Sequence, residues 1–495
     1  MGEEKKLDFR PNEFASLIPF LIFIVITIIL TFINASDLNM MIGAGLIGLM
    51  VGMFFCKNWT DYWQAVIEGL GSTSAMTAVL IWLVVGMFGG ILKAGHIVEG
   101  LVWASDLVGI KGAGFTVFTF IASAIFATAT GTGFGTIATM GFIMYPAGLL
   151  LGANPIFLAG AILSGAAFGD NVAPVSDTTI ISATSQEYET REGVADVGGV
   201  VRTRLKYALI AAGIAIVLFG IFGGASTSVD TQEASRLLKD YMRPEGLLLL
   251  IPTAIVIIMA VKGINLFIAL TFGIVTAVVI GLPTNLFTFS ELIRIEGNAV
   301  LGAIPEGVSG MVTVSILLMV VVAMGQLLIK SRCMSTTVEW LNKKVIRDPR
   351  STEISIWGLG TAFSILIAAI NTIAIICAAP FVNAIGKITK IHPYRRANLL
   401  DAVCCSWPFF VPYGGCVLLL IGTMESVAST YPFVTPLNPN SVFFTVFYSW
   451  ILWIIMFIAA VTGWGRAFEG KDGEEIVSSR NRIPEDVEKF GSINM

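Results

Sequence analysis

Residues 164–186 read S-G-A-A-F-G-D-N-V-A-P-V-S-D-T-T-I-I-S-A-T-S-Q. They close an uncharged run, Gly112 to Gly169, that is too long for one membrane crossing and long enough for two. Asp170 and Asp177 then fall where hydrocarbon depth is expected. Asn171, Pro174 and Ser176 lie between them, and Thr178 and Thr179 follow directly. A carboxylate inside a membrane is costly, and its usual reason is function. Pro174 breaks the helix and frees backbone carbonyls, which are tolerated only inside protein or around a wet cavity. Carboxylates, hydroxyls, an amide and free carbonyls together suit a small hard cation or a polar substrate. The plainer alternative is a loop whose Ser176 or Asp177 caps the next helix. The apolar flanks and the density of polar atoms favour the functional reading.

Composition sets the class. Of 495 residues 55% are hydrophobic and only 13% charged, against about a quarter charged in soluble domains. The chain therefore reads as an all-α polytopic membrane protein of the cell membrane. A net charge of −4 says nothing about nucleic acid, but no basic patch with interleaved aromatics is present, so no nucleic-acid partner is expected. The six cysteines sit mostly in apolar runs without metal or disulfide spacing, and His96 and His392 are far apart in sequence. With no His-x-x-x-His pair, no Gly-x-Ser-x-Gly elbow and no P-loop, neither an enzyme nor an ATP-driven pump is expected. No cofactor is implied.

The apolar runs divide the chain. Residues 1–16 form a charged tail, placed in the cytoplasm by Lys5, Lys6 and Arg10. Residues 17–223 hold the first set of spans, 224–243 a polar linker, 244–463 a second set and 464–495 a charged tail. Landmarks recur at a shift of 238 residues: Glu68-Gly69 on Glu306-Gly307, Asn154-Pro155 on His392-Pro393, and Pro174 on Pro412. Each half then has about five to six membrane segments, some broken or re-entrant, and such repeats point to a midplane transport site. The loop after Lys93 is poor in Lys and Arg, while its counterpart after Lys330 is rich in them. That asymmetry favours inverted over parallel repeats. Glu68 and Glu306 read as interfacial residues at helix starts; Asp401, with Ser406, is a candidate to complete a pocket across the repeats, but reads first as a cap or a partner of Arg395 or Arg396.

At 168–179 the sequence F-G-D-N-V-A-P-V-S-D-T-T resembles the NhaC-type sodium/proton antiporter family of the ion-transporter superfamily. Phe168, Gly169, Asp170, Pro174, Ser176, Asp177, Thr178 and Thr179 stand at the motif's positions. Upstream, G-T-G-F-G-T at 131–136 looks like the family's G-T-S-W-G-T, departing at Gly133 and Phe134. This chain has Asn171-Val172 where several exchangers of the family carry a Lys or another polar residue. The resemblance also takes in sodium-coupled exchangers of carboxylates and carriers of amino acids.

These readings converge on a secondary active transporter exchanging Na+ against H+ by alternating access. Burial disfavours the charged carboxylate, so a buried one can hold either a proton or a cation. Asp177 is the first candidate, with Ser176 and Thr178 as further Na+ ligands, and Asp170 the second. Asn171, Thr179 and Thr132 add oxygens from the first half. Asn371, Thr372, Trp407 and Tyr413 are expected to complete the pocket from the second. The alternative is a Na+- or H+-coupled carrier of a small organic solute, an amino acid or carboxylate, with those aromatics against its apolar body. Na+, H+ and membrane lipids are the expected partners, with a small organic solute in the carrier alternative and a homodimer as a further option.

Overall fold

The structure is a computed structural model describing residues 6–32, 38–174, 176–224, 243–262, 264–297, 299–333, 336, 345–428, 431–485 and 487. Most of the 224–243 linker, and Lys343 and Lys344 of the basic loop, lie outside the described residues. The described chain is predominantly helical. The first half holds α1 (Ile18–Phe32), α2 (Leu38–Met53), α3 (Trp59–Leu70), α4 (Thr73–Ala94), α5 (Ile97–Val108), α6 (Ala113–Thr130), α7 (Gly133–Leu150), α8 (Pro155–Val172), α9 (Asp177–Thr184) and α10 (Val197–Phe222). The second holds α11 (Leu250–Val261), α12 (Leu266–Gly281), the single-turn α13 (Phe289–Leu292), α14 (Ala303–Ser309), α15 (Val312–Lys330), α16 (Pro349–Leu366), α17 (Asn371–Ile388), α18 (Pro393–Cys404), α19 (Gly415–Ala428) and α20 (Phe447–Thr462). Two small hairpins, β1–β2 (Arg294–Glu296, Ala299–Leu301) and β3–β4 (Ala467–Glu469, Glu475–Val477), and five short 3-10 helices complete the described elements. Seven described helical segments are long and apolar enough to cross a membrane. The protein is a multi-pass membrane protein.

Start signals fix the helices locally. Asn154 and His392 accept hydrogen bonds from the first turns of α8 and α18, each with proline at the first helical position. Asp348 and Pro349 do the same for α16. Stop signals decide the rest. Gly131, at φ 66°, ends α6, so the run 112–169 holds three helices where length alone suggested two. The second long run likewise splits between Leu366 and Asn371. Helix starts correspond across the halves: Gly133 with Asn371, Pro155 with Pro393 and Asp177 with Gly415, each pair 238 residues apart.

Two helical hairpins enter the bundle from opposite ends of α20. The base of the α6–α7 hairpin is tied by Gly112 N to Leu151 O (2.8 Å), and Gly223 O accepts from both Thr116 Oγ1 and Asn154 N (2.8 Å each). Phe157 and Phe222, beside this base, pack on Phe447 at the start of α20. The base of the α16–α17 hairpin is closed by Thr389 Oγ1 on Thr352 Oγ1 (3.0 Å). Glu353, next to it, meets Arg466 just beyond the end of α20. The tips, at residues 131–132 and 367–370, meet inside the bundle: a Cβ on Gly415 would touch both Ala369 O and Phe134.

Close helix approach depends on small residues. A Cβ on Gly169 would stand 2.1 Å from Ala127 Cβ and 2.4 Å from Thr128 N. Gly169→Val is therefore expected to force α6 and α8 apart beside Asp170. Overpacking of this kind costs about 1–3 kcal/mol, read as a lower melting temperature in detergent. An unchanged melting temperature would refute the packing argument.

Candidate functional site

The α6–α7 and α16–α17 tips meet the break between α8 and α9, where Ala173, Pro174 and Ser176 lie outside the helices. Together they enclose a cavity of about 220 Å³. Asp170, Asp177 and Thr178 line it from the break, Thr132 and Phe134 from the first tip, and Asn371 and Thr372 from the second. Thr73 and Thr77 of α4 close the remaining side. Helices α4, α7, α9 and α17 all begin at this wall, so four positive helix ends face one space.

Asp170 is 5% exposed and sits where the two halves touch. The Ser176 hydroxyl donates to its Oδ1 at 2.6 Å, and Asn371 Nδ2 donates to its Oδ2 at 2.7 Å. Ser176 occupies the N-cap position of α9 without capping it; its hydroxyl serves Asp170 and pairs with Thr178 Oγ1 at 2.9 Å. The capping alternative is thereby set aside for Ser176. No basic side chain among the described residues forms an ion pair with Asp170. Asp177 also lines the cavity but is exposed at its rim. Asp170 is thus enclosed and liganded, and Asp177 lies at the mouth.

Other expected residues lie elsewhere. Thr132 caps α7 through Gly135 N (3.3 Å) and still faces the cavity. Asn171 and Thr179 are buried behind it: Asn171 Nδ2 donates to Ala167 O (2.9 Å), and Thr179 Oγ1 to Asp401 Oδ2 (3.3 Å). Neither Trp407 nor Tyr413 lines the cavity. Trp407 packs in an aromatic cluster with Phe410, Trp450 and Trp453. The Tyr413 hydroxyl donates to Ile365 O (2.8 Å), and its ring meets Phe20 and Phe23 edge-on. The break between α18 and α19 turns those two rings toward neighbouring helices. Phe409 fills the space that a Cβ on Gly133 would need.

Charge pairing also departs from expectation. Asp401 pairs with Arg204 of α10, and both are fully buried. Arg395 binds Glu353, while Arg396 donates to the carbonyls of Asn383 (3.1 Å) and Glu187 (2.5 Å). Glu306 accepts from Gly302 N at the start of α14, whereas Glu68 lies in the last turn of α3 and pairs with Lys330. Arg204 was legible in one respect: it shares the buried helix face of Val200, Ala208, Ala211 and Ala215, while Arg202 is exposed.

The Na+/H+ antiporter family model matches residues 13–224. The Malate-2H+/Na+-lactate antiporter of Bacillus subtilis is 31% identical over 217 residues, 43% of this chain and 44% of that protein. The Na+/H+ antiporter NhaC of Alkalihalophilus pseudofirmus is 26% identical over 260 residues, 51% of each. The chain spans about half the length of these curated relatives. Among solved structures, the YdaH transporter of Alcanivorax borkumensis aligns with 82% of this chain and 90% of its own at 14% identity, with a TM-score of 0.39. That likeness is too low to bear on the fold. The family match thus falls on residues 13–224, with the 168–179 motif inside them.

Proposed function

We propose that the protein exchanges Na+ against H+ at Asp170 by alternating access. The observation that carries this reading is an enclosed carboxylate with hydroxyl and amide ligands from both halves and, among the described residues, no basic partner. Such a group must hold a proton or a cation to stay buried. Ser176, Thr178 and the carbonyls freed at the break supply further oxygens for Na+, and Asp177 at the rim is the first carboxylate an arriving cation meets. In this reading the halves are inverted repeats, as the hairpins entering from opposite ends of α20 and the 238-residue correspondence support. The basic residues Arg347, Arg350, Lys387 and Lys390 gather at the α16–α17 base, which supports a cytoplasmic position for that end.

Single cysteines at exposed Leu107 and Arg350, in a background without native cysteines, are expected to label from opposite sides of the membrane. Labelling of both from one side would exclude the inverted arrangement.

A second reading rests on the size and polarity of the cavity. Its 220 Å³ would take several waters at about 30 Å³ each, far more room than a bare Na+ needs. Four helix N-termini around it favour an anionic group, so a small carboxylate beside the cation fits the space. In liposomes with independent sodium and pH gradients, simple antiport is expected to give Na+-driven proton flux without added solute. If flux appears only with a carboxylate or amino acid present, the coupled carrier replaces it. If neither Na+ nor any solute moves protons, both readings fail.

A further inference from the structure

Behind the cavity, Arg204 reaches from α10 into the break between α8 and α9. Its Nη1 stands among three oxygens: the Asn171 carbonyl at 2.6 Å, the Thr179 hydroxyl at 3.3 Å, and Asp401 Oδ2. Its Nε donates to Asn398 Oδ1 at 3.0 Å. Arg204, Asn171, Thr179 and Asp401 are all 0% exposed. The carbonyl belongs to the last turn of α8, where helix carbonyls lack partners and the helix dipole favours positive charge. A freed carbonyl, a hydroxyl and a carboxylate from different helices form the kind of oxygen set that unwound transporter helices offer an alkali cation.

The guanidinium fits this set as a point charge. A structural Arg–carboxylate pair usually presents two nitrogens in a fork. Here Nη1 alone meets the three oxygens, while Nη2 is buried with no hydrogen-bond partner among the described residues. Asp401 Oδ1 is taken by the Cys405 thiol at 2.9 Å. The second carboxylate of the region is therefore neutralised by the protein itself, in contrast to Asp170.

We propose that the oxygens of Asn171, Thr179 and Asp401 form a second monovalent-cation site, occupied by the Arg204 guanidinium. Its resident charge keeps Asp401 out of the exchange, a consequence that rests on the Na+/H+ reading; the site itself does not. Removing the guanidinium leaves a buried carboxylate that must take up Na+, a proton or another small cation.

The test compares Arg204→Ala, Arg204→Lys and the double variant Arg204→Ala/Asp401→Asn as purified full-length protein. Melting is followed in Na+, in a bulky organic cation at equal ionic strength, and with added millimolar guanidinium. Arg204→Ala is expected to melt below the unaltered protein in the bulky cation, and to recover in Na+ or guanidinium by more than the unaltered protein does. Arg204→Lys, which keeps its charge, and the double variant, which needs none, are expected to show no such extra recovery. In liposomes, the Na+ dependence of Arg204→Ala is expected to steepen, with a Hill coefficient rising from about 1 toward about 2. An Arg204→Ala protein with the unaltered Na+ response and no guanidinium response overturns the proposal. So does equal recovery in the double variant, or failure to obtain Arg204→Ala with both cations present throughout purification. Melting needs no transport, so absent flux in the unaltered protein would remove the antiport reading and leave this site standing.

Discussion

Asp170→Asn is expected to bring Na+-driven proton movement in liposomes to background while the protein still folds. The substitution is nearly isosteric, and the new amide oxygen can still accept from Ser176. It cannot exchange a proton for a cation, and its NH2 group turns toward the Asn371 amide that now donates to Asp170 Oδ2. Asp177→Asn is expected to reduce flux less, because Asp177 lies at the exposed rim. The measurement is pH-dependent dye quenching on a sodium gradient, with melting temperature as the folding control. Near-normal flux in well-folded Asp170→Asn would remove Asp170 from the mechanism. Near-normal flux there with loss in Asp177→Asn would restore the order expected from sequence alone.

The largest loss of stability is expected at Glu353. Its Oε1 accepts from Arg395 Nε (2.7 Å), and its Oε2 from Arg466 Nη2 (3.0 Å) and Nε (3.1 Å), with all three side chains nearly inaccessible. Arg395 Nη1 continues to the Tyr207 hydroxyl at 2.8 Å, which donates to Trp464 O at 2.9 Å. This cluster joins α10, α16, α18 and the segment after α20 at the hairpin base. Glu353→Ala strands two buried guanidiniums, and breaking a buried pair costs about 3–5 kcal/mol. Loss of the folded protein, or a large fall in melting temperature, is the expected outcome. Glu353→Gln, which keeps the acceptor oxygen, is expected to lose less. If both variants melt like the unaltered protein, the cluster does not hold this end together.

The neighbouring β3–β4 hairpin ties the same base to the loop after α9. Glu469 Oε1 accepts from the backbone of Glu189 (2.6 Å) and Thr190 (2.7 Å), while His392 N donates to Ala467 O (2.9 Å). Burial beside the rings of Tyr188 and Tyr394 pushes the His392 imidazole down to about 4. The unfolded chain therefore binds a proton more readily than the folded one. His392's contribution is complete above its ordinary pKa near 6.5 and is lost as pH falls toward 4. A melting curve flat from neutral pH down to 4 would count against it.

Much of the architecture was legible because its causes are local. Uninterrupted apolar runs set the long helices, Asn154-Pro155 and His392-Pro393 set starts, and Pro174 marked the break that holds Asp170 and Ser176 in one space. Asn371 and Thr372, polar in mid-run, did reach the cavity. Aromatic content misled at Trp407 and Tyr413, because a ring beside a broken helix can face a cavity or a neighbour equally well, and packing on α1 and α20 chose the neighbour.

By itself the sequence determined that the protein is helical and membrane-spanning, and that oxygens gather around 170–179. Those properties depend on composition and on residues within a turn or two of one another. Only the tertiary structure decided which carboxylate is free. Asp170 and Asp401 are both buried acids in helices, but Arg204 comes from 197 positions away to pair with one of them. Asp170 receives instead the neutral amide of Asn371, 201 positions away. The physical reason is that Coulomb attraction acts through space and burial magnifies it. A carboxylate's role is therefore set by which distant side chain the helix packing brings within reach.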